Sequence, residues 1–379
     1  MASIAFGSSL SLKQFADAIA TVGQQVTIVG QGEPGIGKSA MLKVLEGKFP
    51  EYEVAYIDCT LLDLGDFALP YTVECENGIV GENGKVEKIK VTKFAPNARF
   101  KLHSGKPVII MLDEIGKAIK SVKNVLLTLM NEHRIGDLTL PSGSIVFGTT
   151  NLASDGVGDV MEAHARNRVC FTTVRKPNAG FKADGSIEDD SWGAWAIEND
   201  IAPEVIAAVK NFPEMLESYT DPAQRENPYI FHPTKAQTAF VTPRSLEKAS
   251  HIAKKRHALG NAVTIAMLSG VIGESAARQM EAFFTVVDKL PTWESIVANP
   301  KTAKVPGPED AAAKCLLVFS ALSRVDKDSL DKWLDYADRL DMEWQALFAK
   351  SIVKSSTKQA MAVSNKKFKD WAIKNQWLF

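Results

Sequence analysis

Residues 32–39 constrain this chain more than any other part of its sequence. They read Gly-Glu-Pro-Gly-Ile-Gly-Lys-Ser and satisfy the pattern G-x-x-x-x-G-K-[ST]. In such a loop the glycines let backbone N–H groups curl around phosphate oxygens, and the helix that follows points its positive end at them. A β-branched run at 26–29 precedes the loop, and helical spacing continues after it to Phe49. The order of strand, glycine-rich turn and helix therefore predicts a phosphate-binding loop.

Two side chains of this loop are expected to act on a bound nucleotide. Lys38 is expected to reach the β- and γ-phosphates, and Ser39 is expected to hold a magnesium ion. The residues that we expect to contact the nucleotide and its ion are Gly32, Glu33, Pro34, Gly35, Ile36, Gly37, Lys38, Ser39, Ala40 and Asp113.

An acidic pair follows an apolar run farther along the chain. Residues 108–112 are continuously apolar, as expected of a parallel strand that is buried on both faces, and Asp113 and Glu114 come directly after them. Asp113 is expected to position the magnesium ion through its water shell. Glu114 is expected to polarise the attacking water, which is the step that separates hydrolysis from nucleotide binding alone.

The identity of the base must also be decided, because residues 113–116 fit the D-x-x-G pattern of GTP-binding proteins as well. A GTP-binding protein of that kind should also carry an N-K-x-D element that reads guanine, and no such tetrapeptide occurs in the sequence. We therefore expect the ligands to be ATP and Mg²⁺.

Strand and helix patterns alternate through the first half of the chain. Apolar or β-branched runs at 26–29, 54–57, 108–112 and 145–149 alternate with helical patterns, which predicts an α/β fold with a parallel sheet between helices. Two β-hairpins are predicted as insertions. The first rests on the alternation at 85–91 with turn residues at 76–78 and 83–84, and the second on residues 134–143.

A length of 379 residues allows two or three packed units. We predict an α/β nucleotide-binding core with hairpin insertions at 1–180, an α-helical lid at 181–275 and a C-terminal helical region at 276–379. The polar segment at 176–191, which contains one proline and two glycines, is the expected linker between the core and the lid.

Composition limits the other functions that need to be considered. The net charge of −1 provides no general attraction to nucleic acid or acidic lipid. The four cysteines form no C-x-x-C pair and the histidines do not cluster, so we expect no zinc site, no disulfide framework and no metal other than magnesium. The first residues lack a signal-peptide pattern, and no run approaches the length of a membrane span, so a cytoplasmic location is expected.

Several motifs in order give the chain a family resemblance. It resembles the MoxR-type AAA+ ATPases, in the branch that carries a helix-2 insert and a pre-sensor-1 hairpin. The resemblance rests on LDEIGKA at 112–118 and on VLLTLMNEHRIGDLTLPSGSIVFGTTN at 125–151. The hairpin before Phe94-Ala95-Pro96 sits where the family has its helix-2 insert, and residues 134–143 sit at the pre-sensor-1 hairpin. The similarity extends from about residue 25 to about residue 275.

The resemblance implies two further residues in the core. Asn151 matches the sensor-1 residue, which orients water against the γ-phosphate. Residues 164–168, His-Ala-Arg-Asn-Arg, resemble a segment that ends in N-R-F, so Arg168 is expected to be the arginine finger that acts on the neighbouring subunit. Val169 replaces the usual aromatic residue, and Arg166 is a second candidate. The alternative is a surface arginine paired with Glu162 or Asp159.

A further arginine is implied in the lid. Residues 242–247, Thr-Pro-Arg-Ser-Leu-Glu, resemble the family's T-P-R-S-W-E segment at the start of a lid helix. Arg244 is therefore expected to be the sensor-2 residue, which reaches the γ-phosphate and couples the lid to the nucleotide. Thr242 and Pro243 suit the start of a helix, and a solvent-exposed arginine at a helix start is the alternative.

The resemblance implies an ATP-hydrolysing motor that remodels a protein client or assembly. It also implies a homo-oligomer, expected as a hexameric ring with an open helical assembly as the alternative, and a partner with a von Willebrand A domain. A rival hypothesis is action on nucleic acid through the hairpins, where Lys85, Lys88, Lys90 and Arg134 lie, or through the lysine-rich tail with its aromatic residues Phe368, Trp371 and Trp377. A third hypothesis, an ATP-binding scaffold, is disfavoured because the water-activating residues are intact.

Overall fold

The computed structural model describes residues 9–80, 86–152 and 167–376, and for 77–80, 86 and 87 it describes the backbone alone. The chain divides into two compact units, Met1–Arg175 and Lys176–Phe379. The described strands all lie in the first unit: β1 (Ser9–Leu10), β2 (Ile28–Gln31), β3 (Glu53–Asp58), β4 (Ala68–Val80), β5 (Val86–Pro96), β6 (Val108–Asp113), β7 (Arg134–Ile135), β8 (Leu138–Thr139), β9 (Ile145–Thr150) and β10 (Cys170–Val174).

Six of these strands form a parallel sheet, and this confirms the predicted α/β fold. The strand order is β1-β10-β2-β9-β6-β3. In this order β2, which leads into the glycine-rich loop, lies beside β9, and β9 lies beside β6, which ends in Asp113. The carboxyl ends of parallel strands meet at one edge of a sheet, so the ends of these three strands are brought together.

Helices cover both faces of the sheet. They are α1 (Leu12–Val22), α2 (Met41–Lys48) and α3 (Lys120–Glu132). Alternate residues of β6 point to opposite faces: Ile109 and Met111 pack in one hydrophobic core with α1 and α2, whereas Ile110 and Leu112 pack in a second core with α3. Ser11 and Gln14 form a capping box at the start of α1.

Both predicted hairpins are present. Strands β4 and β5 form the first, and β7 and β8 form the second. The turn residues noted at 76–78 coincide with a register shift between Glu76 and Val80 within β4, while 83–84 and Lys85 lie outside the described residues. The turn of the second hairpin touches the base of the first, where the Phe94 backbone N–H donates to Asp137 Oδ2 at 2.7 Å.

The second unit is built from helices around one continuous core that extends from Ala179 to Trp371. Its helices are α4 (Trp192–Glu198), α5 (Pro203–Asn211), α6 (Pro243–Lys254), α7 (Arg256–Leu259), α8 (Asn261–Ile272), α9 (Glu274–Val287), α10 (Trp293–Ala298), α11 (Ala311–Arg324), α12 (Leu330–Ala337), α13 (Met342–Lys354), α14 (Gln359–Ser364) and α15 (Lys366–Lys374). The predicted boundary between residues 275 and 276 falls in the first turn of α9, and the buried residues of α8 and α9 share that core.

The segment at 176–191, the expected linker between the core and the lid, packs within the second unit. Ala179 and Ile187 are buried in the core of the second unit, and Phe181 forms an isolated antiparallel bridge with Ile187. The boundary between the compact units therefore lies at the beginning of this segment. Within the described part of the chain, no helix combines the length and apolar character that a membrane span requires.

Candidate nucleotide site

The glycine-rich loop connects β2 to α2 through backbone conformations that favour glycine. Gly35 has a φ of 72° and Gly37 a φ of 109°, which side-chain-bearing residues rarely adopt. A Cβ atom on Gly32 would lie 2.5 Å from the carbonyl oxygen of Val174, so no larger residue fits there without a backbone shift. The loop continues into a 3₁₀ turn, Lys38–Ala40, and then into α2.

Lys38 is buried, with only 7% of its surface exposed, and its ammonium group bonds inside the loop. Lys38 Nζ donates to the carbonyl oxygens of Gly32 and Glu33, both at 2.7 Å, and to Asn151 Oδ1 at 3.1 Å. A buried ammonium requires such acceptors because it has lost its hydration. The three acceptors hold the positive charge within the curve of the glycine-rich loop.

Asp113 lies at the end of β6 and accepts four hydrogen bonds. Its Oδ2 accepts from Ser39 Oγ at 2.8 Å and from the Tyr56 hydroxyl at 2.9 Å. Its Oδ1 accepts from the Glu114 backbone N–H at 3.1 Å and from Thr149 Oγ1. The bond to Ser39 places the two residues expected at a magnesium site in direct contact.

Glu114 has a left-handed backbone, with φ 56° and ψ 39°. This conformation is uncommon for a residue with a side chain and is associated with functional sites. Asn151 Nδ2 donates to both Glu114 carboxylate oxygens, at 3.1 and 3.3 Å, and Lys117 Nζ lies 3.1 Å from Glu114 Oε2. The carboxylate is therefore held from two sides.

Asn151 joins the phosphate-binding part of the site to the acidic part. Its side-chain oxygen accepts from Lys38 and its side-chain nitrogen donates to Glu114, while the residue itself is 7% exposed. One amide can make both contacts because it carries an acceptor and two donors on the same group. This arrangement fixes the amide between a cation and a carboxylate.

Negative charge is concentrated at this edge of the sheet. Partial burial, the hydrogen bond to Asp113 and nearby carboxylates raise the pKa of Tyr56 above its ordinary value, so its hydroxyl remains a neutral donor. Burial together with the charge of Asp113 likewise raises the pKa of the Cys59 thiol. The charges of Asp113 and Glu114 contribute to both shifts.

The donor set fits magnesium. It consists of the Ser39 hydroxyl and the Asp113 carboxylate, and Mg²⁺ prefers one or two such oxygen groups together with phosphate oxygens and water. In the described residues, no cluster of three or more His, Cys, Asp or Glu side chains could form an all-protein metal site.

The two candidate arginines lie on other segments. Arg168 is exposed in the turn that leads into β10, and Val169 beside it is buried in the core beneath α3. Arg244 is exposed in the first turn of α6, in the second unit, where Thr242 caps the helix as predicted. Arg166, His164, Glu162 and Asp159 lie outside the described residues. The roles of Arg168 and Arg244 stay predictions.

Three residues in contact with the acidic pair were not predicted from the sequence. They are Tyr56, Lys117 and Thr149. Thr149 lies near the end of β9, two residues before Asn151, and Lys117 lies three residues after Glu114, so spacing could have indicated both. Tyr56 could be found only from the pairing of β3 with β6, in which Asp58 lies opposite Asp113.

Part of the chain is similar to a known family of proteins. Residues 28–143 match the family model described as AAA domain (dynein-related subfamily). No curated protein matches the chain significantly. The matched segment begins with β2 and ends before β9, so it includes Lys38, Asp113 and Glu114 but not Asn151.

Solved structures similar to this chain include NtrX from Brucella abortus in complex with ATP, at 12% identity over 98% of this chain and 69% of that chain, with a TM-score of 0.35. The Holliday junction branch migration motor RuvB from Thermotoga maritima is 11% identical over 72% of this chain and 68% of its own, with a TM-score of 0.33. Hsp104 with ATPγS and casein is 14% identical over 73% and 43%, with a TM-score of 0.33. None of these sequence identities or TM-scores is high enough to assign a function. By its match to the family model and the residues that the match contains, this chain carries an AAA+ domain.

Proposed function

We propose that this chain hydrolyses ATP as one subunit of an oligomeric AAA+ motor of the MoxR type, acting in the cytoplasm. The observation that supports this most strongly is the continuous hydrogen-bonded connection from Lys38 through Asn151 to Glu114. It links the group suited to bind the γ-phosphate with the group suited to activate water. A protein that only bound nucleotide would not need the second group.

Each residue of the candidate site has a separate role in the proposed hydrolysis. Lys38 exchanges its loop carbonyl partners for phosphate oxygens, which carry more negative charge. Glu114 accepts the proton of the attacking water, and Asn151 orients that water and the carboxylate. Ser39 and Asp113 would hold Mg²⁺, which when bound neutralises charge on the phosphates.

Arg168 completes the site of the adjacent subunit in this proposal. A guanidinium supplied from outside stabilises negative charge on the transferring phosphoryl group and can contribute roughly 10³–10⁵ in rate. Its exposure in the turn before β10 is consistent with contact to a second copy of the chain. The oligomer is proposed as a hexameric ring, with an open helix as the alternative.

Mixing two inactive variants tests the shared site. Arg168→Ala subunits and Glu114→Gln subunits are each expected to hydrolyse ATP slowly, because each lacks one half of every complete site. In mixtures, some sites pair an intact Glu114 with an intact Arg168, so phosphate release is expected to exceed that of either variant alone. Arg175→Ala is the matched control, since Arg175 donates to the Ser9 carbonyl within the same unit. Absence of any recovery, in mixtures that size-exclusion chromatography shows to be assembled, would count against a shared site.

The proposal extends to a protein client. Arg244 in the proposed lid, residues 181–275, would report the nucleotide state, and the two hairpins would transmit movement to the client. The hairpins are joined by the Phe94–Asp137 bond and carry exposed apolar side chains such as Leu69, Tyr71 and Leu138. Exposed apolar side chains of this kind suit contact with protein. A partner with a von Willebrand A domain is part of the same proposal.

Action on nucleic acid is the weaker alternative. Phe368 and Trp371 are buried in the core of the second unit, so their rings are not available to stack on bases, and Trp377 lies outside the described residues. The lysines of the tail are Lys350, Lys354, Lys358, Lys366, Lys367, Lys369 and Lys374. Four of them bond to carboxylates or carbonyl oxygens of the same unit: Lys350, Lys354, Lys358 and Lys367. On the first hairpin, Lys88 and Lys90 stand opposite Glu76 and Glu74.

A pull-down distinguishes the two kinds of client. The Glu114→Gln variant loaded with ATP is expected to retain its client, because the nucleotide state cannot advance. We expect a discrete protein to be recovered from lysate of the native cells and to survive nuclease treatment, with Lys38→Ala as the control that does not load ATP. Recovery of nucleic acid, with every protein lost on digestion, would reverse the ranking of the two alternatives.

A further inference from the structure

Tyr56 lies on β3, beside the strand that carries the acidic pair. Asp58 of β3 is paired with Asp113 of β6, and Tyr56 is two residues earlier on the same face of β3. Side chains that are diagonal across neighbouring strands are within reach of a long aromatic residue. The hydroxyl of Tyr56 accordingly reaches Asp113 Oδ2 at 2.9 Å.

The four hydrogen bonds to Asp113 saturate its carboxylate. A carboxylate offers about four lone-pair positions, and each oxygen of Asp113 accepts two donors. The donors to Oδ1, Thr149 and the backbone of Glu114, come from the same sheet edge. The donors to Oδ2 are Ser39 and Tyr56, and they come from opposite sides, the glycine-rich loop and β3.

Ser39 and Tyr56 are expected to behave differently when magnesium is bound. In the proposed function, Ser39 turns its hydroxyl oxygen to the metal, and Tyr56 then remains as the side-chain donor to Oδ2 of Asp113 within the described part of the chain. A partner that hydrogen-bonds a metal-binding carboxylate fixes its direction and is commonly as important as the ligand itself.

We infer that Tyr56 is a positioning residue that orients the Asp113 carboxylate for Mg²⁺, an inference that rests on the proposed function. The hydroxyl, and not the ring, carries this role, because 52% of the Tyr56 surface is exposed and the ring contributes little to the core. Tyr56→Phe therefore removes one hydrogen bond and leaves the packing of β3 in place.

Magnesium-dependent nucleotide binding by the full chain tests the inference without relying on turnover. The probe is the fluorescent analogue mant-ADP, titrated first in EDTA and then with increasing Mg²⁺. For Tyr56→Phe, we expect the Mg²⁺ concentration for half-maximal binding to rise about tenfold, the lower end of the effect known for groups that support metal ligands. The affinity in EDTA is expected to match that of the wild type, as is the thermal unfolding midpoint.

Tyr52→Phe is the matched control. Its hydroxyl accepts a hydrogen bond from Gln24 Nε2 at 3.2 Å, and the variant should show the wild-type Mg²⁺ dependence. An unchanged or lower Mg²⁺ requirement in Tyr56→Phe would overturn the inference while leaving the proposed function intact. Absence of Mg²⁺-dependent binding in the wild type would overturn the proposed function and the inference together.

Discussion

Replacing Glu114 with glutamine is expected to slow ATP hydrolysis at least about a hundredfold, the usual contribution of a general base, while ATP still binds. Glutamine keeps the length and shape of the side chain and can still accept the hydrogen bond from Asn151. It cannot take up the proton of the attacking water. The loss should therefore fall on kcat, measured by phosphate release, and the Kd for ATP, measured by calorimetry, should change little.

Glu46→Gln provides the matched control, because Glu46 is an exposed glutamate on α2 of the same unit. It should hydrolyse ATP at the wild-type rate. Unchanged turnover in Glu114→Gln would remove Glu114 from the role of base and leave the chain as a nucleotide-binding protein. Loss of ATP binding in that variant would instead indicate that the carboxylate has a structural role in the loop.

Replacing Lys38 with alanine is expected to weaken ATP binding at least about a hundredfold. A hydrogen bond to a charged group contributes roughly 1.5–3 kcal/mol, and Lys38 is expected to make two or more of them to the phosphates. The variant also leaves the carbonyl oxygens of Gly32 and Glu33 without this donor. Calorimetric titration with ATP measures the loss.

The exposed Lys43 on α2 gives the control variant Lys43→Ala, which should bind ATP as the wild type does. Chemical denaturation of Lys38→Ala separates a binding effect from unfolding. If folded Lys38→Ala bound ATP with wild-type affinity, the phosphates would have to be held elsewhere, and the assignment of the loop would be wrong. The two variants are distinguishable, since Glu114→Gln binds without turnover and Lys38→Ala fails to bind.

Local patterns were sufficient to predict the centre of the fold. The apolar run before Asp113 became β6, and the glycine-rich segment became the turn between β2 and α2, because each depends on residues adjacent in sequence. By contrast, β10 was not predicted. Its residues, Cys-Phe-Thr-Thr-Val, are mostly half-buried and lack a continuous apolar run. Its place between β1 and β2 depends on pairing with distant strands.

In the candidate site, too, local patterns predict some residues, whereas others depend on the pairing of distant strands. Lys38, Ser39, Asp113 and Glu114 follow from motif and spacing, and the structure brings them together with Asn151 by hydrogen bonds. The contact between Tyr56 and Asp113 depends on the register of β3 against β6, which no local pattern reveals. The packing of the segment at 176–191 could not be predicted for a related reason. Its few apolar residues find partners far away in the sequence.

The position of β10 has a mechanical consequence. The turn that holds Arg168 leads directly into β10, and β10 is hydrogen-bonded in register to β2, with Cys170 opposite Ile28 and Thr173 opposite Gln31. At its far end, the Val174 carbonyl oxygen lies close against Gly32, where the glycine-rich loop begins. If Arg168 acts on the adjacent subunit as proposed, β10, which is five residues long, would connect the arginine turn to the start of the glycine-rich loop of its own subunit.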